Sequence, residues 1–174
     1  MRDIEFKVLS ELMNDSRRSD RALAKSIGAS QPTVTRTRKR LERKGYVQEY
    51  TIIPNFKKLG YALLALTFFK YEQSFDEEKV EKAKNILQEA FHKGPFEIIM
   101  AERGIGCGYN AVMISIHRDY TSYSELMNWA KQFGFLKLAK TESFLVNLSD
   151  KLHYRSLTFS TLAKHLAAQH TKEE

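Results

Sequence analysis

A single cysteine, Cys107, excludes any disulfide within the chain and suits a reducing compartment, though not only that one. Nor is there a hydrophobic run near the roughly 20 residues that a membrane-spanning helix needs. The longest, Tyr61 to Phe69, contains Thr67 and is far too short. The amino-terminal residues Arg2, Asp3 and Glu5 do not read as a secretory signal, so a cytoplasmic protein with no membrane partner is expected. Prolines number three, and each falls at a boundary: Pro32 in a first helical turn, Pro54 after an extended run, Pro95 after a helix. Low-complexity tracts are missing. The histidines, His92, His117, His153, His165 and His170, lack close metal-ligand spacing; His165 and His170 miss the i, i+4 face of a zinc helix. No metal or other cofactor is expected, and no serine, histidine and acid set or phosphate loop suggests catalysis.

What is present is positive charge, unevenly placed. Residues 1–60 hold 14 Lys and Arg against 7 Asp and Glu, a net of +7; residues 61–174 hold 14 of each, a net of zero. The chain's whole formal charge of +7 therefore lies on its first third. Such asymmetry is the electrostatic footprint of a protein that meets a polyanion.

Within that third, residues 3–14 carry Ile4, Val8 and Leu12 one turn apart, which predicts a helix. Ser19 then caps a short helix with Leu23, Ala24 and Ile27 on one face, and Gly28 supplies a left-handed end. Ser30 caps a second helix, over 30–44, with Val34 and Leu41 inward and six Lys or Arg against one acid, Glu42. Either Thr37 takes the inner position between them or the stem of Arg38 runs past the core with its head outside. Helix, tight turn and cationic helix are the layout of a helix-turn-helix DNA reader. Gly45 closes the helix, and Tyr46–Ile53 is β-branched and aromatic, as a wing strand would be.

The remainder reads as strand 61–71, helix from a cap at Ser74 or Asp76 to Gly94, strand 96–101, turn 102–108, strand 109–117, helix from Asp119 or Thr121 to Gly134, and strand 141–148. That order, β-α-β-β-α-β, is ferredoxin-like. Its first strand is apolar on both faces, as a central or interface strand would be. An amphipathic helix over 156–168 follows. The expected division is a winged helix-turn-helix over 1–54, a linker over 55–60, the βαββαβ domain over 61–150, and a helix and tail over 151–174 packed on a partner subunit. Gly104-Ile-Gly-Cys-Gly108 has glycine spacing, but a strand follows it where a dinucleotide site needs a helix, so a hairpin with positive φ is expected.

The run from Ala24 to Val47 resembles the Lrp/AsnC family of transcription regulators. Family members show Leu-Ala, Gly-x-Ser, Thr-Val-x-Arg and Arg-Leu-Glu-x-x-Gly at the spacing found here in Leu23-Ala24, Gly28-Ala29-Ser30, Thr33-Val34-Thr35-Arg36 and Arg40-Leu41-Glu42-Arg43-Lys44-Gly45. Tyr50-Thr51 also matches. The resemblance covers Asp3 to Leu148 and implies an α+β chain, with a winged helix-turn-helix joined to a ferredoxin-like, RAM-type domain that forms homodimers and higher oligomers. It implies double-stranded DNA as the partner. Gln31, Thr33, Thr35 and Arg36, near the start of the reading helix, are then the expected base contacts. Arg21, Lys25, Arg38, Lys39, Arg40, Arg43 and Lys44 are the expected phosphate contacts. It further implies a small, amino-acid-like effector at Gly104, Gly106, Cys107, Gly108, Tyr109 and Asn110, where Asn110 stands in place of the Asp common in amino-acid-binding members. Two other readings share the double fold: a tetrapyrrole decarboxylase with the head as scaffold, against which the cations of 30–44 argue, and an effector or assembly module that binds no DNA.

Overall fold

The computed structural model describes residues 1–71, 77–133, 138–152 and 154–169. The chain divides into two compact units, Met1–Pro54 with Tyr154–Glu174, and Asn55–His153.

In the first unit, α1 spans Asp3–Asn14, α2 Asp20–Ile27 and α3 Gln31–Arg43. The Glu5 carboxylate reaches back to accept the Arg2 amide at 2.5 Å, fixing the start of α1. Ser19 Oγ accepts the Ala22 amide at the start of α2, and Gly28, at φ 69°, ends that helix in the left-handed region that glycine occupies without strain. Val8, Leu12, Leu23, Ala24, Val34 and Leu41 close one core. Leu23, Val34 and Leu41 are fully buried, each stabilising the unit by about 1.5–3 kcal/mol.

Two features differ from expectation. Tyr46–Ile53 forms no strand: the chain runs irregularly from Gly45 to Asn55 without a ladder partner among the described residues. The hydroxyl of Tyr50 is instead engaged by side chains of α3, so the segment is held to that helix and not to a sheet. The second difference is the terminal helix, α-helical over Ser160–Gln169, which was expected against a partner subunit. It packs on α1 of the same chain. Ser10 Oγ donates to the Ala163 carbonyl at 2.7 Å, and both residues are small and buried, which permits close approach.

The second unit starts with a 3₁₀ turn, Phe56–Leu59, capped by Asn55 and closed by Gly60, where a plain linker was expected. It continues β1 (Leu63–Tyr71), α4 (Glu77–Lys93), β2 (Glu97–Gly106), β3 (Tyr109–His117), α5 (Tyr120–Lys131) and β4 (Leu138–Asn147); the terminal helix is α6. The expected caps Ser74 and Asp76 of α4 and the closing Gly134 of α5 lie outside the described residues. Of the two caps expected for α5, Asp119 serves, accepting the Ser122 amide at 2.8 Å.

The four strands form one antiparallel sheet in the order β2-β3-β1-β4, the ferredoxin-like order, with β1 in the interior. Strand β2 runs on to Gly106, so Glu102–Gly106, expected as turn, belong to a hairpin. The turn itself is Cys107-Gly108, with φ 50° and 80°, a two-residue loop of the twist that suits a hairpin. One sheet face is covered: Phe69 and Met113 pack on Leu126 of α5. On the other, Met100, Ile114, Leu66 and Phe144 are cross-strand neighbours in one row, and Phe144 is 66% exposed.

Candidate nucleic-acid interface

Helix α3 begins at Ser30, whose Oγ accepts the Thr33 amide at 3.3 Å and lies 2.7 Å from Thr33 Oγ1. Pro32 sits in the first turn, where no amide bond is lost. Val34, Thr37 and Leu41, three and four positions apart, are its buried side. The inner position is thus Thr37, only 2% exposed, and Arg38 lies beside the core with its guanidinium outside.

That guanidinium is engaged within the protein through two of its nitrogens. Arg38 Nη1 donates to Asp20 Oδ1 of α2 at 3.0 Å, and Nε donates to Tyr50 Oη at 2.9 Å. Its Cζ sits 4.8 Å from the centre of the Tyr50 ring, within cation–π range. Tyr50 Oη in turn donates to Glu42 Oε1 at 2.7 Å. Thr35 Oγ1 donates to the other Asp20 oxygen at 2.7 Å. Burial alone would raise the Asp20 pKa, but the bonds from Thr35 and Arg38 and the charges of Arg38 and Lys39 outweigh it and hold the carboxyl below its usual range.

Arg40 is engaged as well. Its Nε donates at 2.6 Å to Glu5, a buried carboxylate of α1, and its Nη2 is itself buried. So Arg38 and Arg40, expected on phosphates, are tied to acids of α2 and α1, and Thr35, expected on a base, has its hydroxyl donated to Asp20. The physical reason is common to all three: on a helix packed by three neighbouring segments, positions flanking the buried side meet those neighbours first. Thr33 is half-buried and occupied with the cap.

The rest of α3 is open. Gln31, Arg36, Lys39, Arg43 and Lys44 are exposed, and among the described residues the four cations have no acidic partner within ion-pair distance. Arg36, Lys39 and Arg43 are spaced three and four apart, so they form one stripe about 10 Å long at 1.5 Å per residue. With Arg40 and Glu42 they line a shallow, open depression. Arg21 and Lys25 are exposed on α2.

The sequence reading missed Asp20, Tyr50, Glu42 and Glu5 as partners. One signal pointed to the first three: Arg38, flanking the inner position Thr37, has to find a counter-charge beside the core.

The hairpin tip has a different character. Ile105 is fully exposed, and Gly104, Gly106 and Gly108 each face open space. The Asn110 amide oxygen accepts the Tyr71 amide at 3.1 Å, which commits it to the end of β1. Tyr109 packs on Phe68 at 5.8 Å, with Lys140 Nζ 5.3 Å from its ring centre. Cys107 is exposed. On the covered face, His117 is 1% exposed, with Nε2 2.8 Å from Ser115 Oγ and its ring edge-on to Tyr123. Burial pushes its pKa down, against the pull of Glu97 and Asp119. Among the described residues no cluster of three or more His, Cys, Asp or Glu is placed to hold a metal, and no helix is long and apolar enough to cross a membrane.

A cationic helix braced by two others, followed by a ferredoxin-like sheet, defines a two-unit helix-turn-helix regulator. Residues 1–48 match the family described as winged helix-turn-helix DNA-binding. The chain is 33% identical over 104 residues to the HTH-type transcriptional regulator LrpA of Pyrococcus horikoshii, covering 58% of this chain and 74% of that protein. It is 31% identical over 124 residues to the HTH-type transcriptional regulator Ptr1 of Methanocaldococcus jannaschii, covering 71% and 77%. Against two further HTH-type regulators, from Pyrococcus furiosus and P. horikoshii, the match spans 58% and 57% of their lengths, less than two thirds. The fold matches that of Bacillus subtilis LrpC with a TM-score of 0.67 at 21% identity, over 89% of this chain and 99% of that one. The chain belongs to the Lrp/AsnC family of transcription regulators.

Proposed function

We propose that this chain is a sequence-specific, double-stranded-DNA-binding transcription regulator of the cytoplasm that lays α3 in the major groove. The observation that carries the reading is the Arg36–Lys39–Arg43 stripe: cations with no acid of their own, on the outer side of a helix whose inner side is locked into a core. Gln31 and Arg36, nearest the helix start, are the base readers, through adenine and guanine edges respectively. Lys39, Arg43 and Lys44, with Arg21 and Lys25 of the bracing helix, meet phosphates.

A single head spans few base pairs, and the Met100–Ile114–Leu66–Phe144 row, exposed at its two ends and half-buried between them, supports a homodimer formed across the open sheet face. Two heads then meet two half-sites. An amino-acid-like effector at the hairpin tip needs a second wall in this arrangement, because the tip's glycines face open space; a second copy supplies it.

Selection of bound duplexes from a random pool, followed by a salt series on the selected duplex, tests the reading. The expected result is one enriched motif and log K falling with log salt by about 0.9 per phosphate neutralised. No enrichment, or an affinity indifferent to salt, overturns it.

A further inference from the structure

Asp20 is an acid on the unit that meets DNA, and simple electrostatics counts it as a liability there. Its contacts say otherwise. One carboxylate oxygen takes the Thr35 hydroxyl and the other the Arg38 guanidinium, one helical turn apart on α3. Arg38 passes the connection to Tyr50, and Tyr50 passes it to Glu42, again on α3. The set therefore joins three separate pieces of chain: the first turn of α2, the outer flank of α3 and the irregular segment after Gly45. Asp20 and Arg38 have side chains only 21% exposed, so their pairing is worth more than a surface ion pair. Burial of Asp20 opposes its ionisation, yet the carboxyl is held below its usual range, so the anion is the form the site selects. The uncommitted cations of α3 lie outside this set, and Arg36 and Lys39 stand two positions before and one after Arg38 in sequence.

We propose that Asp20 is a positioning residue for DNA binding: through Thr35, Arg38 and Tyr50 it clamps α3 against α2 and the following segment, and so aims the Arg36–Lys39–Arg43 stripe. This rests on the proposed DNA reading and adds that Arg38 serves the clamp and not a phosphate. A carboxylate near phosphates repels them, so its removal should tighten binding if position counts for nothing. The clamp gives the opposite sign.

The test is affinity of the full chain for the duplex selected from a random pool, over a salt series, for the wild type, Asp20→Asn, Asp20→Glu, Tyr50→Phe and Arg38→Gln. Circular dichroism checks the fold of each. Asp20→Asn is expected to weaken binding about fivefold to tenfold, as loss of a charged hydrogen-bond pair should, despite removing a negative charge. Its salt slope should stay that of the wild type. Asp20→Glu should recover part of the loss. Arg38→Gln should weaken binding with the slope unchanged, whereas loss of a phosphate contact would lower the slope by about 0.9. Unchanged or tighter binding by folded Asp20→Asn, or a lowered slope in Arg38→Gln, overturns the clamp while leaving DNA binding intact. Should Asp20→Asn not fold, Tyr50→Phe decides, because it removes one exposed hydroxyl: weaker binding at the same slope supports the clamp, and unchanged affinity overturns it. A wild type with no salt-dependent duplex affinity overturns the DNA reading itself, and the clamp with it.

Discussion

The two units of this chain differ in where they leave physical work unfinished. The first is cationic outside, with 12 Lys and Arg against 7 Asp and Glu in residues 1–54, and it closes one small core while Ile52, Ile53, Leu157 and Phe159 stay exposed. The second, nearly balanced with 13 Lys and Arg against 12 Asp and Glu in residues 55–153, leaves Met100 and Phe144 exposed at the ends of an apolar row on one side of its sheet. On the proposed function salt separates them: it should screen the attraction of the first unit for DNA phosphates and leave apolar pairing across the sheet unweakened.

The largest expected effect tests whether the cores are separate. Leu41→Ala should destabilise the first unit by about 2–5 kcal/mol. Thermal melting should then show its transition lowered while that of the second unit stays; joint movement of both breaks the comparison. On the sheet, Phe144→Glu should weaken self-association by about 2 kcal/mol or more, read by sedimentation, with the melting of the second unit unaltered. If the variant sediments as the wild type does, the open face is not the pairing surface. Arg36→Ala should cost roughly 1–3 kcal/mol at its own base pair and relax preference there. An equal loss on every duplex moves Arg36 to the backbone. Lys39→Ala should lower the salt slope by about 0.9 and leave sequence preference alone.

The smallest effect lies in the pH response of the second unit. His117 is buried with its pKa lowered, so the unfolded chain takes up a proton first as pH falls. Its contribution to stability is present above the unfolded value near about 6.5 and is lost as pH drops through the depressed folded value. The melting temperature of the second unit should therefore fall more steeply between about pH 7 and pH 5 in the wild type than in His117→Gln. Parallel curves would sink that account.

Much of the fold was legible because local signals agreed with one another. Ser19, Gly28 and Ser30 punctuate the helix pair, and Val112, Ile114 and Ile116 recur at every second position of β3. Strand β2 was not legible in full, because Gly104 and Gly106 read as turn residues while the hairpin needs only Cys107-Gly108 for its reversal. The strand expected over Tyr46–Ile53 is absent for a related reason. A β-rich composition over Tyr46–Ile53 does not make a strand without a ladder, and the Tyr50 hydroxyl found partners on α3. At the interface, the exposed stripe of α3 followed from residue type and spacing. The commitment of Thr35, Arg38 and Arg40 did not, since their partners Asp20 and Glu5 are distant in sequence and carry no periodic signal.

The seat of α6 on α1 has a consequence for how the protein is made. During synthesis α1, α2 and α3 emerge before the sheet, but the helix that covers Ser10 emerges only after every strand of it. The head is thus assembled from stretches of chain on both sides of the sheet. A chain cut before residue 160 keeps a bare flank on α1, so the head cannot finish its packing until the sheet's own stretch of chain has been made.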